Sequence, residues 1–183
     1  MIGAITAGLF STGTAASTNS YESIATVTVG SGGSSSISFS SIPSTYKHLQ
    51  VRAYTLTNTT GNQGEMTFNG IATGYYGAHY LNGNGTTAIS ATTPASNAII
   101  YESVNYGHSP TYPVVNIIDI LDYANTNKYK TTRSLTGIDA NGAGEINLMS
   151  GLWMNTAAIS SISFTTGLTF TQYTKFALYG IKG

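Results

Sequence analysis

Along most of this chain apolar and hydroxyl-bearing side chains alternate with a period of two, which is the signature of extended backbone. Tyr21, Ser23, Ala25, Val27 and Val29 would share one face of a strand, and Ile24, Thr26 and Thr28 the other. Ile37 and Phe39 alternate with serines, Leu49, Val51 and Ala53 share a face, and Met66 and Phe68 sit between Gly64 and Gly70. Residues 98–104, 128–136, 146–154, 159–164 and 176–181 add further strand-like stretches. Glycine and asparagine turns separate them, as at Gly30-Ser-Gly-Gly33, Ala124-Asn-Thr-Asn127 and Asp139-Ala-Asn-Gly142. About nine short strands at this spacing predict an all-β fold: a two-sheet antiparallel β-sandwich, jelly-roll-like.

Several segments carry more specific expectations. Residues 21–39 read as a hairpin closed by the glycine-rich loop. Pro43 interrupts pairing, because it lacks the ladder donor. Residues 70–97 read as one strand followed by a long exposed loop through Gly83-Asn-Gly85. Val114, Ile117, Ile118 and Leu121 would form a helical stripe, but the density of valine and isoleucine over residues 113–123 favours a buried strand and hairpin.

With 183 residues the chain is long enough for one domain with a real core. Only 7 basic and 7 acidic residues are present, 8% of the chain, so net charge is zero. That balance removes the general electrostatic reason to bind nucleic acid or an anionic membrane, and it favours self-association. Serine, threonine and 21 glycines supply polarity instead, and 13 tyrosines against one tryptophan supply amphipathic rings suited to interfaces. The absence of cysteine excludes disulfides and thiolate metal sites. No apolar run reaches the roughly 20 residues of a spanning helix.

Residues 1–10 resemble a signal peptide only superficially: no positive charge precedes the apolar stretch, and Gly3 and Gly8 interrupt it. They read as an extended, apolar N-terminal arm, with residues 11–20 a flexible connector to a sandwich domain over residues 21–183. Ile2, Ile5, Leu9 and Phe10 are then expected to dock on a neighbouring subunit or another protein.

Motifs that could carry chemistry are weak. Ser44-Thr45-Tyr46-Lys47 matches a serine acyl-transfer pattern, but Pro43 and the strand that follows leave no helix to present the serine. His48, His79 and His108 are scattered, which argues against both a Ser-His-Asp triad and a zinc site. Asp139-Ala-Asn141-Gly-Ala-Gly-Glu145 has too few acids for a calcium loop and reads as a turn. Asp119 and Asp122, three apart on one strand, would point to opposite faces rather than pair as glycosidase carboxylates. No catalytic, cofactor or metal residue is therefore assigned, and a non-enzymatic role is expected. The tyrosines at 75, 76, 80, 101, 106 and 112 suit a protein interface, contact with glycans, or simply half-buried strand positions. Tyr75, Tyr76 and Tyr80 join the arm residues as the candidate interface.

Three stretches carry a family resemblance. Residues 21–33 followed by Ile37-Ser-Phe-Ser-Ser-Ile-Pro-Ser-Thr-Tyr-Lys-His-Leu-Gln-Val-Arg52 resemble the opening of small virion proteins of tailed bacteriophages. Residues 119–133 and the ending Phe176-Ala-Leu-Tyr-Gly-Ile-Lys-Gly183 are similar to the same group. The resemblance implies a structural component of the phage particle (virion), either a capsid decoration (cement) protein or a tail-associated protein, with no catalytic residue to carry over. The expected partners are other virion proteins, above all the major capsid protein, and copies of the chain itself as a homotrimer. The alternatives are a tail or receptor-binding protein touching host glycans, and a secreted carbohydrate-binding module.

Overall fold

The computed structural model describes residues 20–102 and 109–183, and these form two antiparallel sheets without a helix. In chain order the strands are β1 (Tyr21–Thr28), β2 (Ser34–Phe39), β3 (His48–Thr55), β4 (Gly64–Phe68), β5 (Tyr75–Gly83) and β6 (Ala88–Ser96). They continue with β7 (Ile99–Glu102), β8 (Val114–Ile120), β9 (Lys130–Asp139), β10 (Gly144–Trp153), β11 (Ile162–Phe170) and β12 (Lys175–Ile181). Eight strands make one sheet in the order β1-β12-β3-β8-β9-β10-β5-β6; four make the other, β2-β11-β4-β7. The all-β sandwich read from the alternation is the fold observed.

Two local expectations change. Residues 21–39 do not form a hairpin: β1 pairs with β12 in the large sheet and β2 with β11 in the small one. The loop between them crosses from sheet to sheet and packs Gly33, at φ 69°, so tightly that a Cβ there would lie 2.9 Å from Thr169 Cγ2. Residues 70–97 hold two strands, not one strand and a loop. β5 and β6 pair from Tyr75↔Ser96 to Gly83↔Ala88, and Asn84 Oδ1 closes the turn by accepting from the amides of Thr86 (3.0 Å) and Thr87 (2.8 Å). Serine, threonine and Pro94 mask the alternation in β6, which is exposed along nearly its whole length.

The main core lies where the small sheet covers the large one. Phe164 of β11 is its hub: its ring meets Phe39 edge-on at 6.3 Å, Tyr101 edge-on at 5.5 Å and Phe176 of the opposite sheet at 4.8 Å. At the other end Trp153 stacks on Tyr75 at 5.9 Å, with Phe68 tilted against both. Such ring pairs add to the area they bury. Truncating the hub removes contacts to both sheets at once, so Phe164→Ala should lower stability by about 3–5 kcal/mol. Urea unfolding followed by tryptophan fluorescence checks this through the shift in midpoint.

Candidate functional site

A sheet with one face in the core and one in water normally turns its apolar residues inward. Over β9 and the first half of β10 this chain does the reverse, while Met149 and Trp153 in the second half of β10 turn inward as usual. The inward residues of β9 are Lys130, Thr132, Ser134 and Thr136, all buried, while Leu135 points out. On β10 Glu145 and Asn147 point inward, and Ile146 and Leu148 point out.

Specific hydrogen bonds hold the buried polar groups. Asn82 Nδ2 donates to Glu145 Oε2 and Asn147 Oδ1, both at 2.7 Å, and Asn147 Nδ2 donates to Glu145 Oε1 at 3.0 Å. The Thr136 hydroxyl lies 2.6 Å from Asn116 Oδ1 and 3.0 Å from the Tyr101 carbonyl, and Asn116 Nδ2 donates to Glu102. Lys130 Nζ donates to the carbonyls of Asn125 (2.5 Å), Lys128 (3.0 Å) and Thr156 (3.1 Å).

The outward consequence is an apolar belt. Ile117, Leu135, Leu148 and Leu81 are successive cross-strand partners on β8, β9, β10 and β5, an unbroken row across four strands. Val115 and Ile146 widen it in the next row. These six side chains are 39–57% exposed. Three strand spacings make the row about 14 Å long.

A polar row borders the belt on one side. Gln50 Nε2 donates to Asp119 Oδ1 at 2.8 Å, Arg133 Nη2 pairs with Asp119 Oδ2 at 2.8 Å, and Arg52 Nε donates to Gln50 Oε1 at 3.0 Å. Arg52 in turn sits over the rings of Tyr21 and Tyr179, at 5.7 and 5.3 Å from their centroids. Each charge of the border thus has a partner within the border or its tyrosines, and the belt itself carries none. A shallow depression lined by His79, Leu81, Thr92, Arg133, Leu148 and Ser150 continues it toward the β5–β6 hairpin.

The residues singled out in the sequence are scattered over the fold. Ile2, Ile5, Leu9, Phe10, Tyr106 and His108 lie outside the described residues. Tyr75, expected at an interface, is wholly buried against Trp153, so none of its ring remains for a partner. Tyr80 is half-buried and faces inward against Ala78, Ile100 and Met149. Tyr76 faces outward, stacked on His79 at 5.1 Å with its hydroxyl 2.8 Å from Thr92 Oγ1.

Asp122 is not on the strand with Asp119. It occupies the following turn at φ 48°, where Lys128 (2.5 Å) and Lys47 (3.4 Å) hold its carboxyl below the usual range, with burial acting in the opposite sense. His48 Nδ1 accepts the Asp122 amide proton at 2.9 Å. Asp139 accepts from the Gly142 amide in a turn, while Glu145 belongs to the buried network, so the two ends of the calcium-like motif do not converge. Among the described residues no three His, Asp or Glu side chains gather as metal ligands.

The belt escaped sequence reasoning because leucine and isoleucine on a strand look like core. Its one written trace is the phase of Thr132-Arg-Ser134-Leu-Thr136, which is readable only once the inward face is known.

No family model matches the chain, and no curated protein matches it. It has a distant likeness to the crystal structure of a protein of unknown function from Shewanella oneidensis MR-1, with 14% identity over 88% of this chain and 75% of that one. The TM-score of 0.24 is too low for that likeness to support any statement about fold or function.

Glu102, at the edge of the buried network, gives it a pH signature. Burial pushes the carboxyl up to about 8, assisted by the charge of Glu145 and opposed by the Asn116 hydrogen bond. Between about pH 4.5 and 8 the folded chain therefore keeps a proton that the unfolded chain has released. The stability contributed is complete below that window and is lost as pH rises through it, by a few kcal/mol in all. Glu102→Gln should flatten this dependence, leaving the variant more stable than the parent at pH 8.5. Melting curves between pH 5 and 8.5 check the slope.

Proposed function

We propose that this chain is a non-enzymatic structural protein of a tailed-phage virion, a capsid decoration protein that braces the particle as a homotrimer through protein–protein contacts. The apolar belt on the outward face of the large sheet carries the reading. Six half-exposed aliphatic side chains on a flat, regular surface cost about 1 kcal/mol each in water, an expense recovered when another protein covers them. The low charge of the chain and the stretches resembling phage virion proteins support the same reading. A contact of standard size, near 1,600 Å², repeated by symmetry over a shell would resist outward pressure collectively.

A tail-associated, glycan-contacting role is the second reading. It is favoured by the outward Tyr76–His79 stack beside the hydroxyls of Ser90 and Thr92 on the exposed β5–β6 hairpin. Aromatic faces of this kind suit the apolar face of a sugar ring.

The belt can be spoiled without touching the core. Leu135→Asp with Leu148→Asp leaves the core in place and should lower stability by about 2 kcal/mol or less, from like charges set directly opposite each other and the poor fit of aspartate to a strand. Incorporation of the doubly substituted chain into purified particles should fall at least tenfold by immunoblot, against hundreds of copies per particle for the parent. Unchanged incorporation overturns the belt's role. A parent copy number of tens or fewer transfers the chain to the tail, and its absence from particles overturns the virion reading.

A further inference from the structure

We infer that in the free protein the belt is a docking groove for residues 1–10 of the same chain, a strap that a virion partner must displace; this rests on the belt being the assembly surface. The chemistry matches on both sides. No side chain before Glu22 is charged, so residues 1–10 bring Ile2, Ile5, Leu9 and Phe10 to the belt without a charged side chain to desolvate. The belt offers Ile117, Leu135, Leu148 and Leu81 in one row; along its border Arg133 pairs with Asp119, and Arg52 bonds Gln50 and lies over Tyr21 and Tyr179.

The geometry allows the match. The chain enters the fold at Ser20, whose carbonyl accepts from the Lys182 amide at 3.0 Å, at the corner where Tyr21 pairs with Ile181. From that corner β8 is three strand spacings away and β5 is six, about 14 and 29 Å. The row of Ile117 and Leu81 continues through Arg52 to Ala177 on β12, four residues along from Ile181, or about 13 Å. The belt therefore begins about 20 Å from the corner and ends about 32 Å from it. Residues 11–20, fully extended, reach up to about 35 Å. A tether of that length holds residues 1–10 at an effective concentration on the order of millimolar, so at micromolar protein the chain's own segment outcompetes another copy's.

The cysteine-free sequence makes disulfide trapping a clean test. Under mild oxidation at micromolar concentration, Ile5→Cys with Leu148→Cys in one chain should close an intrachain disulfide in most molecules. Ile5→Cys with Ser38→Cys, whose second site is exposed on the small sheet, should close at least tenfold more slowly. Mixing chains that carry Ile5→Cys alone with chains that carry Leu148→Cys alone should yield few heterodimers. The oxidised strap variant should fail to enter particles and should regain entry on reduction.

Equal trapping at the two sites, or none at Leu148→Cys, overturns the strap. Trapping that occurs mainly between chains makes a second copy the occupant and also overturns it. Loss of incorporation by Leu135→Asp with Leu148→Asp, without trapping, leaves the assembly reading standing and removes the strap alone. Trapping without that loss does the opposite.

Discussion

The hydrogen bonds that bury Asn82, Asn116, Thr136, Glu145 and Asn147 between the sheets determine what this protein shows to its surroundings. A strand's side chains alternate, so a slip of one residue on β9 and β10 would turn Leu135, Ile146 and Leu148 inward and the threonines and Asn147 outward. The same slip would turn Met149 and Trp153 of β10 out of the core. Asn82 and Asn116 stay inward on β5 and β8, and a slip would remove their partners Glu145, Asn147 and Thr136, at about 1–3 kcal/mol for each buried group left unpaired. The polar network is thus a register lock, and the apolar belt is its outward image.

The width of the two sheets makes the lock tolerable. Four strands cannot cover eight, and the aromatic core around Phe164 and Phe176 lies where the small sheet reaches. β9, β10 and β5 lie toward the far side, where the inward face meets β7, the edge strand of the small sheet. The polar residues occupy one end of β10 and β5, and Trp153 and Tyr75 at the other end keep their place in the aromatic core. Lys130 belongs to the same logic: burial lowers its pKa, but three carbonyls accept its protons, and it anchors the start of β9. The belt therefore lies on a rigid part of the sheet, which is where a surface that must meet other proteins in a fixed geometry is best placed.

Much of the architecture was legible in the sequence, because period-two alternation is written residue by residue in stretches such as 21–29 and 48–55. Pairing was not. β1 and β2 look like a hairpin across Gly30-Ser-Gly-Gly33, yet each finds its partner near the chain's end, in β12 and β11, and long-range partners leave no local mark. β6 escaped because Thr92, Thr93 and Pro94 break the apolar rhythm, while its pairing with β5 needs only backbone. The candidate site was the least legible part. Tyr75 and Leu148 each carry a side chain suited to either a core or an interface, and only the register assigns Tyr75 to the first and Leu148 to the second.

The same physics joins register, belt and assembly, so a probe of side-chain accessibility within the particle is the most direct test. Hydroxyl-radical footprinting, read by mass spectrometry at Leu81, Ile117, Leu135 and Leu148, compares free chain with particles. The account requires these four side chains to be oxidised at least several-fold more slowly in the particle than in chain trimmed of residues 1–19, with Ser38 and Ser163 on the small sheet's outer face no more protected than in the free chain. Belt leucines oxidised as readily in the particle as in the trimmed free chain, with protection concentrated on the small sheet instead, would contradict it.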